Sequence, residues 1–594
     1  MHKATNYLRE FIRLGPHLSS SVLCRHLFFL LLSFIIIGIT GYYFGTFDQS
    51  MHIPFLKKEV FPALYPNDPF FDLRKTHYSY FWLLFRPFLS MGVLEVSLFL
   101  THLLSTYLTF WALWRLSKTL FKSDGVALLS VIAFSFPHIG FAGFPLFEFS
   151  LLNRTFVLPF LLFSIDLYLK KRYIASFLLL GIMNNIHALS VNFVLFMYGV
   201  DLLFRFFREK WKFKGKLPLG IGCIGFVLAS LPVLIWKFGS SPLDFSLRPE
   251  WFSIISQSLM YTVFYPLSTS SSVLFLTICG VSTFLLYFVM TDYQVLSEGS
   301  LTITHFMYAS IFLIGFEVIV SQWLPVTFVV QFQIIRIGIF SLIFAYLFFV
   351  SSLVSRVSGE TITKRQFLMQ FLAVFLSLTV LVPLVVSFLV RFLPKRDRFF
   401  AGYLAICTSL VVFGILAWQT NVWRPGIHIF PQKTDWYDVQ MWAKNNTRES
   451  DTFLTPPDRW WFYEPDWRVF SERSTVTTIS EVLEFAFTPE YTSYWKARFA
   501  DVAPFALEKF SGDIFKSVRL TRNAYKNLSD YQFVSLAKKY GVSYIVVEKN
   551  RALPYAISYQ NNSFTVYSVS PVLARFVIPR AWTVDKRINF PYHN

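Results

Sequence analysis

The sequence predicts a polytopic α-helical membrane protein of about 11–13 spans, followed by a soluble C-terminal α/β domain. Three observations carry that reading. Of 594 residues, 54% are hydrophobic, 20% are aromatic and only 15% are charged, whereas a soluble chain carries about 25% charged residues. Apolar runs long enough to cross a hydrocarbon core, about 20 residues each, recur throughout residues 1–419. From about residue 420 to 594, charged residues and turn formers return and the apolar runs shorten. This composition excludes a soluble enzyme, a disordered scaffold and a disulfide-rich secreted domain.

In chain order, the apolar runs lie near 27–47, 92–114, 124–142, 151–169, 173–207, 217–237, 271–291, 301–320, 333–355, 366–390 and 400–418. The 173–207 run accommodates two short helices, which brings the expectation to about twelve crossings. The first run follows Lys3, Arg9, Arg13 and Arg25 and lacks a small-residue cleavage site, so it reads as a first span with a cytoplasmic N-terminus. Arg115, Lys118 and Lys122, then Lys170, Lys171 and Arg172, then the 205–216 basic cluster mark successive cytoplasmic loops. The long loop 48–90, the loop around Glu148 and the turn near His187 consequently share the opposite face. Arg391, Lys395, Arg396 and Arg398 break the alternation, and a re-entrant 366–390 run containing Pro383 would restore it.

Beyond residue 420, Asp435 to Lys444 reads as an amphipathic helix with Trp436, Val439 and Trp442 at spacing 3. Residues 452–455, 542–547 and 563–568 read as strands, and 532–540 as a helix closed by Gly541. The formal charge of +19 belongs to loops that meet anionic headgroups, so membrane lipids are expected partners and nucleic acid is not. Cys24, Cys223, Cys279 and Cys407 lie in or beside apolar segments and form neither a disulfide nor a zinc framework.

The candidate chemistry lies on the face shared by those loops. Asp48 stands where the first span ends, next to Phe47, and an ionisable group at a membrane boundary is a functional candidate. Its plainer reading is a helix end in water. Asp68, in Pro66-Asn67-Asp68-Pro69, has the plainer reading of a turn residue, as does Asp72. Glu148 interrupts the apolar stretch Phe144-Pro-Leu-Phe-Glu-Phe149, and a lone carboxylate there costs several kcal/mol unless partnered. An ion pair with Arg154, six residues on, is its structural reading. His187, in Asn184-Asn-Ile-His-Ala188, reads either as a satisfied core histidine or as part of a polar knot. Arg336, in Gln331-Phe-Gln-Ile-Ile-Arg336, reads either as an interface anchor or as a bidentate phosphate binder.

Phe47-Asp48-Gln49, the long first outer loop, Glu148 in the next outer loop and Asn185-Ile-His187 together resemble the GT-C glycosyltransferases. That superfamily includes aminoarabinose and protein O-mannosyl transferases; the closest likeness is to bacterial GT-C-like membrane proteins of unassigned activity. Gln49 stands where those enzymes often carry an acidic residue. The resemblance implies a polyprenyl-phosphate-linked sugar donor and a glycan, lipid or protein acceptor on the extracytoplasmic side of a bacterial inner membrane. It implies catalytic roles for Asp48, as base, and Glu148, as positioning group or ligand to a divalent metal. His52, Lys57, Lys58, Asp68, Arg154, His187 and Arg336 are the substrate-binding candidates it implies, with no cofactor beyond that metal. Two other readings compete. A transporter or lipid flippase would use Asn184–His187 and Pro159, Pro232 and Pro383 as helix interruptions. A noncatalytic assembly protein for envelope glycans would make the acids structural.

Overall fold

Apolar periodicity produces long helices, and in a computed structural model eight among the described residues are long and apolar enough to cross a membrane. The described residues are 21–209, 216–240, 243–258, 271–291, 297–394, 397–420, 423–460 and 464–569. The basic residues Lys3, Arg9, Arg13, Lys210, Lys212, Lys214, Lys395 and Arg396, expected to orient the spans, lie outside them.

The elements that build the site are α1 (Val22–Thr40), α2 (Gln49–Val60), α3 (Leu94–Phe121), α4 (Asn153–Leu169), α5 (Tyr173–Glu209) and α6 (Gly338–Ser358). Where the eight long helices fall short of the expected twelve crossings, the cause is local. The 124–142 run is α-helical only over Asp124–Ala133, with a short 3-10 turn at Phe141–Gly143 closing it. Its remainder turns around His138, whose two ring nitrogens meet the Ser377 and Ala133 carbonyls at 2.9 and 2.7 Å. The 366–390 run divides into Lys364–Phe375 and Leu381–Phe392. Pro383 falls in the first turn of the second piece, where its missing N–H costs nothing. The 151–169 run is α4, with 17 residues that include Arg154 and the buried Asp166. The 173–207 run holds two helical segments, as the sequence allows, that meet at His187, where φ −152° and ψ 83° leave the helical region, and the pair counts as one long helix.

The C-terminal region folds around a five-stranded mixed sheet. With β1 (Tyr42–Tyr43), β2 (Ile427–His428), β3 (Thr452–Leu454), β4 (Ser474–Thr475), β5 (Val542–Glu548), β6 (Ala556–Gln560) and β7 (Phe564–Ser568), its order is β4-β3-β5-β7-β6. β3 pairs in parallel with β4 and β5, while β7 pairs antiparallel with β5 and β6. The helix expected near 532–540 spans Asp530–Tyr540. Its start carries a Ser529–Gln532 capping box, and it ends at Gly541, whose φ of 63° favours glycine. The helix Asp435–Asn446 buries Trp436 and Val439 against the sheet, with Trp442 packed at the margin of the same cluster.

This region is not suspended on a free linker. β1, directly after α1, pairs in parallel with β2, and Trp423 donates its indole N–H to the Ile39 carbonyl at 2.7 Å. Gly41 between them has φ 89°, and a Cβ there would meet the Arg424 carbonyl at 2.4 Å, so only glycine fits the crossing. The apolar core of the helical half continues through Trp460, Val469, Phe485, Trp495 and Phe510. Trp460 and residues 464–510 therefore pack as a cover over the loop 48–90, and this cover forms one wall of the site.

Candidate functional site

Asp48 sits at the N-cap position of α2, where an aspartate ordinarily accepts a hydrogen bond from its own helix. It makes no such bond. Its Oδ2 instead accepts from Arg154 Nη1 at 2.7 Å, and Arg154 Nε donates to Glu148 Oε1 at 2.8 Å. One guanidinium thus joins two carboxylates from separate segments. Arg154 occupies the first turn of α4, where the helix dipole disfavours a cation. The two carboxylates offset that cost, and with side-chain exposures of 18, 14 and 6% for Arg154, Asp48 and Glu148, each needs the others.

Asp48 and Arg154 line a cavity of about 100 Å³ together with His52, His77, His187, Gln333, Arg336 and Glu484, while Glu148 lines an adjoining cavity that shares Arg154, His187 and Arg336. Arg336 is its second cation. It lies in the 3-10 turn leading into α6, with its guanidinium 4.2 Å from the Phe144 ring centroid. Arg154 lies 5.9 Å from the same ring, so Phe144 serves both guanidinium groups. The Arg336 Nε and the Gln333 Oε1 are buried and have no hydrogen-bond partner among the described residues. Such atoms cost about 1–3 kcal/mol each unless something satisfies them.

Two backbone outliers border the same space: Phe47 has φ 52° and Gln333 φ 45°, both in the left-handed region. Non-glycine residues there cost on the order of 1 kcal/mol or more and concentrate at functional sites. At the α5 break, His187 Nδ1 lies 3.3 Å from the Ser190 backbone N–H that donates to it and 2.8 Å from the Ser190 hydroxyl. The ring therefore caps the second half of the helix through Nδ1 and keeps its proton on Nε2.

His52 stacks on Trp82 with ring centroids 5.1 Å apart, and burial pushes it down to about 3, which keeps the imidazole neutral. Burial pushes Glu484 up, yet the neighbouring His77 outweighs it and holds the carboxyl below its usual range. Glu484 lies in Val482-Leu-Glu-Phe485 of the C-terminal region and was not singled out by the sequence; nor were His77 and Gln333. The apolar neighbours of Glu484 are the only local signal it carries.

Three of the sequence candidates are engaged elsewhere. Lys57 donates to Glu472 Oε1 and to the Val469 carbonyl, both at 2.7 Å. Lys58 closes its own helix end on the carbonyls of Pro62 and Leu64. Asp68 takes two hydrogen bonds from the buried Arg468, at 2.7 and 3.2 Å, in a cluster with Asp466 and Glu481. None of the three lines the cavity; each fastens the loop 48–90 or locks it to the C-terminal region. They lie outside the cavity because other partners satisfy them first: residues some 400 positions away for Lys57 and Asp68, and the end of its own helix for Lys58. Asp48, His52, Glu148, Arg154, His187 and Arg336 do converge on adjoining cavities.

No protein family matches this chain, and no curated protein matches it in sequence.

Proposed function

We propose that the protein is a polytopic membrane glycosyltransferase of GT-C type. It would move a sugar from a polyprenyl-phosphate-linked donor to a glycan, lipid or protein acceptor on the extracytoplasmic side. One observation carries the reading: Asp48 and Glu148, 100 residues apart, share Arg154 at a cavity where the Arg336 Nε is buried without a partner. Displacement at an anomeric carbon needs a proton acceptor beside the incoming hydroxyl or amine, and cationic donors on the departing phosphate. The pair with Arg154 engages Asp48 Oδ2 and leaves Oδ1 as the base. Arg336, with Phe144 behind it, supplies the phosphate contact.

Arg154 is then a positioning residue: it fixes Asp48 against the turn after α1. Eight apolar helices among the described residues fit the passage of a lipid-linked donor from the membrane, and the cover formed by Trp460 and residues 464–510 fits a wall on the acceptor side. The test is a transfer assay with purified full-length protein and a panel of polyprenyl-phosphate sugars. Acceptor-dependent release of the lipid phosphate is expected. Failure to bind or turn over every donor in the panel refutes the proposal.

A further inference from the structure

His52, His77 and Glu484 each offer one metal-ligating atom, and these atoms lie within 4.8 Å of one another. Glu484 reaches His77 Nδ1 at 3.4 Å through Oε2 and His52 Nδ1 at 3.8 Å through Oε1. Two donors at about 2.0–2.1 Å from one tetrahedral ion stand roughly 3.4 Å apart, so both carboxylate–imidazole separations are close to the spacing of shared ligands. The histidine rings are edge-to-face with centroids 4.7 Å apart, and Trp82 holds the His52 ring from its other side. His77 is the least buried of the three and has room to adjust.

From this geometry we infer that His52, His77 and Glu484 form a divalent transition-metal site, of the zinc class, joining the loop 48–90 to the C-terminal region. Two imidazoles and a carboxylate are a borderline donor set that favours zinc over magnesium or calcium, which take oxygen ligands. Three protein ligands leave a fourth position, and all three residues line the cavity that contains Asp48 and Arg336. The open position therefore faces that space, the arrangement of a reactive rather than a closed structural site. Cations nearby do not forbid a dication: Arg154 is neutralised by Asp48 and Glu148, and Arg74 pairs with Glu59 at 2.9 Å. The site stands on this ligand geometry and does not depend on glycosyl transfer.

The test uses full-length protein in detergent, stripped with a chelator and titrated with Zn²⁺ alone. Wild type is expected to retain one zinc per chain after dialysis and to melt at a higher temperature with zinc than without it. His77→Ala and Glu484→Gln are each expected to bind at least about tenfold more weakly, since removing even a supporting partner of a ligand costs that much. Zinc X-ray absorption on wild type, which needs no variant to fold, should show two imidazoles and an oxygen ligand. Absence of bound zinc in wild type, undiminished binding by both variants, or a zinc shell without imidazole would overturn the assignment.

Discussion

Neutralising the two carboxylates on Arg154, singly and together, separates their structural role from a chemical one. Asp48→Asn leaves Arg154 its 2.8 Å bond to Glu148, and Glu148→Gln leaves it the 2.7 Å bond to Asp48. In each single variant the amide oxygen still accepts, so the loss is part of one charge-assisted hydrogen bond, about 1 kcal/mol. The double variant leaves a guanidinium that is 18% exposed with no carboxylate on it. Stranding a charge in such a place costs about 3–5 kcal/mol. The double variant should therefore lose about 1–3 kcal/mol more than the sum of the singles.

Activity should divide differently. Asp48→Asn is expected to lower turnover by about 10²–10⁴, the contribution of a positioned general base, with a stability loss of only about 1 kcal/mol. Glu148→Gln should cost stability before it costs rate. Chemical denaturation in mixed micelles, read by Trp fluorescence, gives the first quantity, and sugar transfer from the same preparations gives the second. Strictly additive stabilities would refute the shared guanidinium, and wild-type turnover by Asp48→Asn would refute the base.

Arg336→Met should weaken binding of the donor phosphate while leaving the melting temperature unchanged or higher, because it removes a buried Nε that has no partner; isothermal titration with a polyprenyl phosphate and a melting curve check both halves. Arg468→Met strands Asp68, Asp466 and Glu481 together and should destabilise the protein by more than about 3 kcal/mol, seen as early proteolysis of the C-terminal region. Burial pushes Glu481 up to about 7, against the pull of Arg468, so its folded value lies above its unfolded one. The folded state then holds the extra proton below 7, and this stabilising contribution is lost as pH rises from the unfolded value through 7. Glu481→Gln, always neutral, should accordingly gain on wild type between pH 6 and pH 8, and a melting difference independent of pH would contradict the assignment. Ser511→Cys lies on an exposed turn of the C-terminal region, and labelling of intact cells from outside is expected; labelling only after the inner membrane is permeabilised would reverse the orientation.

What was legible in the sequence depended on whether a partner was local. Glu148 in an apolar loop demanded a cation, and Arg154 six residues away was close enough to nominate. Asp48 stood out because the first apolar run ends before it. The helix Asp530–Tyr540 could be read from its own ends, Ser529 and Gly541. Lys57 and Asp68, by contrast, find Glu472 and Arg468 across some 400 residues of chain, and no local pattern encodes such a pairing. Glu484 was hidden for the same reason: in a soluble stretch a carboxylate is unremarkable until His52 and His77 are placed against it. The long apolar helices among the described residues are fewer than the expected crossings where an apolar run is interrupted by tertiary contacts, as at His138, whose ring holds two backbone carbonyls.

The amide at Gln49, next to Asp48, follows from the local geometry. Its side chain is fully buried and works in both directions: Oε1 accepts from the Gly45 backbone at 3.0 Å, and Nε2 donates to the Leu151 carbonyl at 3.0 Å. A glutamate could make the first bond only, leaving the Leu151 carbonyl without a donor and adding a buried charge next to Asp48. The amide thus ties the Asp48 turn to the segment that leads into Arg154, and brings the two ionised groups together before they pair. The opposite side of the turn is held by the C-terminal region. Trp460 donates its indole N–H to the Phe47 carbonyl at 3.1 Å, and the Asp466 backbone donates to Ser50 Oγ at 3.2 Å. Phe47, with its left-handed φ, is therefore clamped from both directions, which is what a strained residue requires to persist. It follows that Asp48 depends for its placement on Leu151 from the helical half and Trp460 from the cover. An isolated helical half, lacking the second contact, would hold the same carboxylate in a relaxed turn where it could cap its own helix instead of meeting Arg154.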